Sequence, residues 1–186
     1  IDRSFSMRGQ KLEFAKSAAL STLDLLDEHH RLAVIGFDSR PHDVVPLAEV
    51  GNKRRGEDLI GSMSASGQTN VYNALWHAYR LLQNSPAKTK HMILLSDGNS
   101  APPGKLAAAT SSTEAMALIR KERGLPPEPD ADDSLASGGA EELTAQLTQA
   151  NITLSTVAIG DNPNLELMAQ LAQGANGKSH VAKSET

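Results

Sequence analysis

The chain has 186 residues, 39% of them hydrophobic and 22% charged, with a formal net charge of −4; this excludes disorder throughout and suits one domain with a sizeable core. It contains no cysteine, which rules out disulfides, thiolate nucleophiles and cysteine-based zinc or iron–sulfur sites within it. The acidic balance, the lack of a long basic block and an aromatic content of only 3% argue against nucleic acid or an anionic membrane surface as the main partner.

In chain order, the first feature is I-D-R-S-F-S-M, where Asp2, Ser4 and Ser6 place an oxygen-bearing side chain at every second position. A helix is expected next, from the near-helical recurrence of Leu12, Ala15, Ala18, Ala19, Leu23 and Leu26, with His29–His30 closing it near the negative end of its dipole. Leu32–Phe37 is an almost continuous apolar run of the kind buried on both faces of a sheet. After the turn D-S-R-P, the stretch D-V-V-P-L predicts a brief strand ended by Pro46. The segment from Asn70 predicts a strong helix, capped by Asn70, with Val71, Leu75, Ala78 and Leu82 on one face.

Met92–Leu95 predicts a buried strand that ends on Ser96, Asp97 and Gly98. A helix over 140–150, a strand over Ile152–Ile159, a helix over 165–172 and a last strand over 178–182 follow. Strands separated by helices imply crossover connections and a mostly parallel sheet covered on both faces. The proline-rich stretch 99–138 breaks this rhythm and is read as an insertion; within it Ser111 and Glu114 form a capping-box start. Asp130, Asp132, Ser134 and Glu141 fall at EF-hand loop positions. Leu135 stands where the turn requires glycine, however, so an extended acidic loop is the preferred reading. No apolar run approaches the roughly 20 residues of a membrane span, and direct membrane insertion is not expected.

Ligands bind outside the carboxyl ends of the strands in an open parallel sheet. Three polar clusters fall on loops that are expected to share that edge: Asp2-x-Ser4-x-Ser6, the S-G-Q-T-N loop carrying Thr69, and Asp97-Gly98. Two carboxylates and three hydroxyls form an all-oxygen set suited to Mg²⁺, Mn²⁺ or Ca²⁺, and would leave the ion able to accept a further anionic oxygen. For Asp2, Ser4 and Ser6 the alternative is a solvated turn with local caps; for Thr69 it is helix capping, and for Asp97 a strand-end turn.

D-R-S-F-S, then G-Q-T-N with its helix, then L-L-S-D-G resemble the von Willebrand factor A-type domain with its metal-ion-dependent adhesion site, supported by V-I-G-F-D-S and L-S-T-V-A-I-G. Among relatives the chain looks most like VWA domains of bacterial membrane-anchored proteins, including those joined to a glutamine-amidotransferase-like domain. The resemblance implies a Rossmann-like, doubly wound α/β fold with one short antiparallel edge strand, over 1–186 as a single domain. It implies that Ser4, Ser6 and Thr69 are hydroxyl ligands, that Asp2 and Asp97 bind directly or through water, and that Mg²⁺ is the foremost candidate ion. A protein partner's Asp or Glu carboxylate would complete the shell. Phe5 stands where the family commonly has glycine. In the family a central strand precedes the motif, so the chain is expected to be part of a longer, bacterial, membrane-anchored protein. The expected function is a non-enzymatic, metal-dependent protein-binding module. The alternatives are a metal-assisted hydrolase or phosphoryl-transfer enzyme, and a structural domain working through the 99–138 insertion. The three clusters hold no Lys, His or Cys to serve as base or nucleophile.

Overall fold

The computed structural model describes residues 1–100 and 139–182. A 3₁₀ turn, Phe5–Met7, leads to α1 (Gln10–Leu25), β1 (Arg31–Phe37), β2 (Pro41–Glu49), α2 (Lys53–Gly61), α3 (Val71–Gln83) and β3 (Lys90–Ser96). After residue 138 come α4 (Ala140–Gln149), β4 (Ile152–Ile159), α5 (Leu165–Gly174) and β5 (Ser179–Ala182). Asp130, Asp132, Ser134, Leu135 and the Ser111–Glu114 capping box lie outside the described residues. Glu141 sits in the first turn of α4.

β3, β4 and β5 form a parallel sheet in that order, and β1 pairs antiparallel with β2. The Ile1–Arg3 main chain runs between the two groups. On one side Phe37 N–H donates to Ile1 O (2.9 Å) and Arg3 N–H to Phe37 O (2.8 Å); on the other, Asp2 N–H donates to Leu95 O (2.8 Å). The first three residues thus join β1 to β3 across the middle of the molecule, as a central strand does.

The inner strands β3 and β4 are buried on both faces towards their carboxyl ends, and successive residues feed different cores. Leu94, Ile152, Leu154 and Ala158 pack with Val71 and Leu75 of α3, Leu143 and Leu147 of α4, and Met168 and Leu171 of α5. Leu95 and Ile159 pack instead with Met7, Leu12 and Ala15 from the 3₁₀ turn and α1. Ile60 of α2 joins Leu23, Val34 and Val50 in a third cluster. Fully burying side chains such as Leu143, Leu147 and Leu171 contributes on the order of 2 kcal/mol each. Helices therefore cover both faces, the α/β arrangement that the apolar strand runs predicted.

Three local expectations are corrected. β2 does not end at Pro46. The β1–β2 register shifts between Leu32↔Ala48 and Val34↔Val45, so the proline sits in an irregular stretch of an edge strand, where its missing N–H costs no ladder bond. α1 stops at Leu25, before the histidine pair. The Asp27 carboxylate accepts from the His29 N–H (2.9 Å) and meets His30 Nδ1 (2.7 Å), a side-chain-to-backbone turn that competes with further helix. α2 was not foreseen; its sequence K-R-R-G-E-D-L-I-G carries only two large apolar residues, too few to show a helical period.

Among the described glycines, Gly177 has the closest neighbour. A Cβ there would overlap the carbonyl of Leu154 in β4, and its N–H donates to Ala172 O at 2.9 Å, closing α5. Gly177→Ala is expected to lower unfolding free energy by about 3 kcal/mol, read as the shift in urea midpoint.

Candidate metal centre

All three clusters come together where the strand ends meet. Asp2, Ser4, Thr69 and Asp97 are buried, while Ser6 is exposed. A surface cavity of about 330 Å³ is lined by Ser4, Phe5, Ser6, Gly67, Gln68, Thr69 and Asn99. The Ser4 and Ser6 hydroxyls lie 3.0 Å apart. Among the described residues the Thr69 hydroxyl takes no hydrogen bond; Asn70 caps α3 instead, accepting from Asn73 N–H at 3.1 Å. Helix capping is therefore not the role of Thr69.

Asp2 is the deepest group. Its Oδ1 accepts from the Ser4 N–H (2.9 Å) and its Oδ2 from the Ser96 hydroxyl (2.6 Å), which itself accepts from the Gly98 N–H (2.9 Å). Burial pushes the Asp2 carboxyl up; the hydrogen bonds from Ser96 and Ser4 oppose this, and the nearby Asp97 carboxylate adds to the rise. Asp97, also fully buried, accepts from the Asn99 N–H at Oδ1 (3.1 Å) and from Lys11 Nζ at Oδ2 (3.2 Å). Two carboxylates thus share a desolvated site, with one ammonium group partly neutralising them. Among the described residues no group of three or more His, Asp or Glu forms a metal-type cluster, so a cation here would rely on hydroxyls as well as the two carboxylates.

The Thr69 loop is held by a second acidic group. Asp38, at the end of β1, takes a two-pronged hydrogen bond from Arg3 (Nε 3.0 Å, Nη2 2.8 Å), and its carbonyl accepts from the Asn70 N–H (2.8 Å). Ser66 N–H donates to Arg3 O (2.7 Å) and Phe5 N–H to Gly67 O (3.0 Å), stitching the loop to the first motif. Gly67 has φ +68, and a Cβ there would stand 3.0 Å from Asp38 Cβ, so only glycine allows the loop to close over Asp38 without strain. Burial alone would raise the Asp38 carboxyl. Hydrogen bonds from Arg3 and the Arg40 N–H, with His42 beside it, outweigh that and hold it below the usual carboxylate range.

Sequence reasoning named Asp2, Ser4, Ser6, Thr69 and Asp97, and the fold gathers them. It did not assign roles to Ser96, Lys11, Arg3, Asp38 or Asn99. The strand-end rule that found Asp97 applies equally to Asp38, and a hydroxyl inside the apolar L-L-S run marks Ser96. Nothing in the local pattern of α1 distinguishes Lys11. The remaining histidines lie apart: His77 pairs with Asp43 (2.8 Å) and His91 with Thr153 (2.5 Å).

The chain belongs to the von Willebrand factor type A domain family, whose profile matches residues 1–186; the family consists of protein-interaction modules. An uncharacterized protein of Synechocystis is 36% identical over 99 residues, covering 53% of this chain and 24% of that protein. The chain spans about a quarter or less of the length of the relatives it matches by sequence. By fold it is similar to BatB of Bacteroides thetaiotaomicron (TM-score 0.71, 16% identity, 99% of this chain and 88% of that one). It is also similar to proximal thread matrix protein 1 of the mussel byssus, solved with zinc in its MIDAS motif (TM-score 0.66, 15% identity, 97% and 39%).

Replacing Lys11 removes the lysine ammonium that pairs with Asp97. In EDTA, Lys11→Met is expected to lower stability by about 1 kcal/mol, the lysine being a third exposed, as measured by urea unfolding. Asp38 gives a pH signature. Its folded-state pKa is depressed, so its contribution is present above the unfolded value of about 4 and is lost as pH falls through the lower folded value. Asp38→Asn is expected to cost about 1–2 kcal/mol near neutrality, the gap from wild type closing in urea titrations below about pH 4.

Proposed function

We propose that this domain is a metal-dependent protein-binding module whose divalent cation is held by Ser4, Ser6, Thr69, Asp2 and Asp97 and takes a carboxylate from the partner. The observation that carries the reading is the pair of buried carboxylates beside one cavity edged by Ser4, Ser6 and Thr69. The donor set fits a hard cation: it is all oxygen and partly charged. Both Asp2 oxygens already accept hydrogen bonds, which suits contact through water rather than direct ligation. Ser4, Ser6 and Thr69 would present hydroxyls at the cavity surface.

Charge favours the same conclusion. With Asp2 and Asp97 as carboxylates, the form a bound cation would favour, and Lys11 as ammonium, these groups carry one net negative charge. A divalent ion would reverse it to one net positive charge, which a single carboxylate neutralises. The ion supplies a Lewis-acidic position when bound; the chain supplies its burial and orientation. Mg²⁺ is the leading ion, with Mn²⁺ and Ca²⁺ accepted by the same oxygens. An enzymatic role is not favoured: Lys11, the one basic side chain that touches the predicted cluster residues among those described, is engaged by Asp97 rather than free to act as a base. No helix among the described residues is long and apolar enough to cross a membrane; a place in a bacterial membrane-anchored protein is part of the proposal, in keeping with the fold likeness to an aerotolerance-related membrane protein of Bacteroides fragilis.

Mn²⁺ titration followed by electron paramagnetic resonance tests the site. Asp97→Ala and Thr69→Ala are expected to weaken Mn²⁺ binding by at least roughly tenfold, with circular dichroism unchanged. Peptide-display selection should enrich acidic sequences in Mn²⁺ and not in EDTA; equal enrichment in both would overturn the reading.

A further inference from the structure

Phe5 is the residue of the first motif that the metal reading leaves without a role. Its neighbours in the motif are committed: Asp2 and Ser4 are buried, and Ser6 meets Ser4. The Phe5 side chain, by contrast, is 52% exposed and lines the cavity that holds Ser4, Ser6 and Thr69. Its main chain is pinned, with Phe5 N–H donating to Gly67 O (3.0 Å) and Arg8 N–H donating to Phe5 O (3.3 Å). The ring is held as well: the Arg8 guanidinium carbon lies 4.4 Å from its centroid, a cation–π distance.

Arg8 adds charge to that position. Arg3 is paired with Asp38 and Lys11 with Asp97, whereas Arg8, exposed on the surface, has no carboxylate partner among the described residues. The rim therefore presents a fixed apolar ring under an unneutralised guanidinium, next to the proposed seat of a partner carboxylate. An apolar side chain gains by covering an exposed ring, and an aromatic–arginine pair is a usual composition for the centre of a binding surface.

We infer that Phe5 and Arg8 select the partner: the recognised segment is an acidic peptide in which the metal-bound carboxylate stands next to an apolar side chain that packs on Phe5, with a further acidic residue facing Arg8. This inference rests on the metal-binding reading above and specifies its ligand. Phe5 contributes apolar contact and Arg8 charge complementarity; neither is asked to hold the ion. A glycine at position 5 would leave the hydroxyl cluster in place and remove the apolar wall.

The test uses Mn²⁺ affinity by electron paramagnetic resonance, and binding of short synthetic peptides followed by calorimetry with Mg²⁺ present. The peptides share one central Asp, preceded by either Leu or Gly, each with and without a Glu two positions on. Wild type is expected to prefer the Leu–Asp peptide to the Gly–Asp peptide by roughly tenfold. Phe5→Gly should abolish that preference while leaving Mn²⁺ affinity and Gly–Asp binding within about twofold of wild type. Arg8→Gln should remove the gain from the added Glu and flatten its salt dependence. If wild type binds all four peptides equally and only with Mg²⁺, the selectivity inference fails and the metal reading stands. If no peptide binds with Mg²⁺ and Mn²⁺ does not bind, the metal reading fails and the inference falls with it. Loss of Mn²⁺ binding in Phe5→Gly would overturn the inference differently, by making Phe5 a part of the metal cradle.

Discussion

The hydrogen bonds of Ile1–Arg3 to β1 on one side and β3 on the other hold the molecule's two strand groups in one frame. Every other feature of the site is measured from that short segment. It delivers Asp2 into the interior between the ends of β1 and β3, where Ser96 and the Ser4 N–H can reach both oxygens. It also sends the chain out through Ser4, Phe5 and Ser6 onto the surface above. Because the segment is pinned on both edges, the alternation of the motif has a fixed sense: residues two and four face in, and residue five faces out.

Buried acidity is the second organising theme. Asp2 sits in a desolvated position that raises the cost of ionisation, and the fold answers with the Ser96 hydroxyl and the Ser4 N–H, while Lys11 pairs with neighbouring Asp97. Asp38 takes the opposite course. Its bonds to Arg3 and to the Arg40 N–H outweigh its burial, and its carboxylate is favoured over the neutral form. The first pair is electrostatically unfinished and the second is complete, and the proposed cation site rests on that contrast. Through its carbonyl and its contact with Gly67, Asp38 fixes the loop that carries Thr69.

The layers around the sheet follow from ordinary side-chain periodicity. β4 alternates buried and half-buried residues through Ile152, Leu154, Thr156 and Ala158. Thr156 is the polar exception, satisfied by Met168 O at 2.9 Å and Ser179 Oγ at 3.1 Å, so its burial costs little. The edge strands carry the irregularities: two prolines in β2 and two register shifts in its pairing with β1, and a short, exposed β5. Such edges discourage further strand addition.

The sequence by itself determined the order of the strands and of the helices other than α2, and the parallel core, and it named five oxygen-bearing residues as candidate ligands, because apolar runs and polar strand ends are local signals. It did not show α2, whose few apolar residues give no period, nor the true end of α1, which an aspartate side chain decides. Only the tertiary structure decided that Lys11 meets Asp97 across 86 positions and that Arg3 clamps Asp38 across 35. It alone showed Ser96 bonding Asp2 across 94 positions and Phe5 standing at the cavity rim with Arg8 on its ring. These pairings depend on which strand ends are neighbours in space. That adjacency is set by crossover connections and core packing, and no spacing along the chain records it.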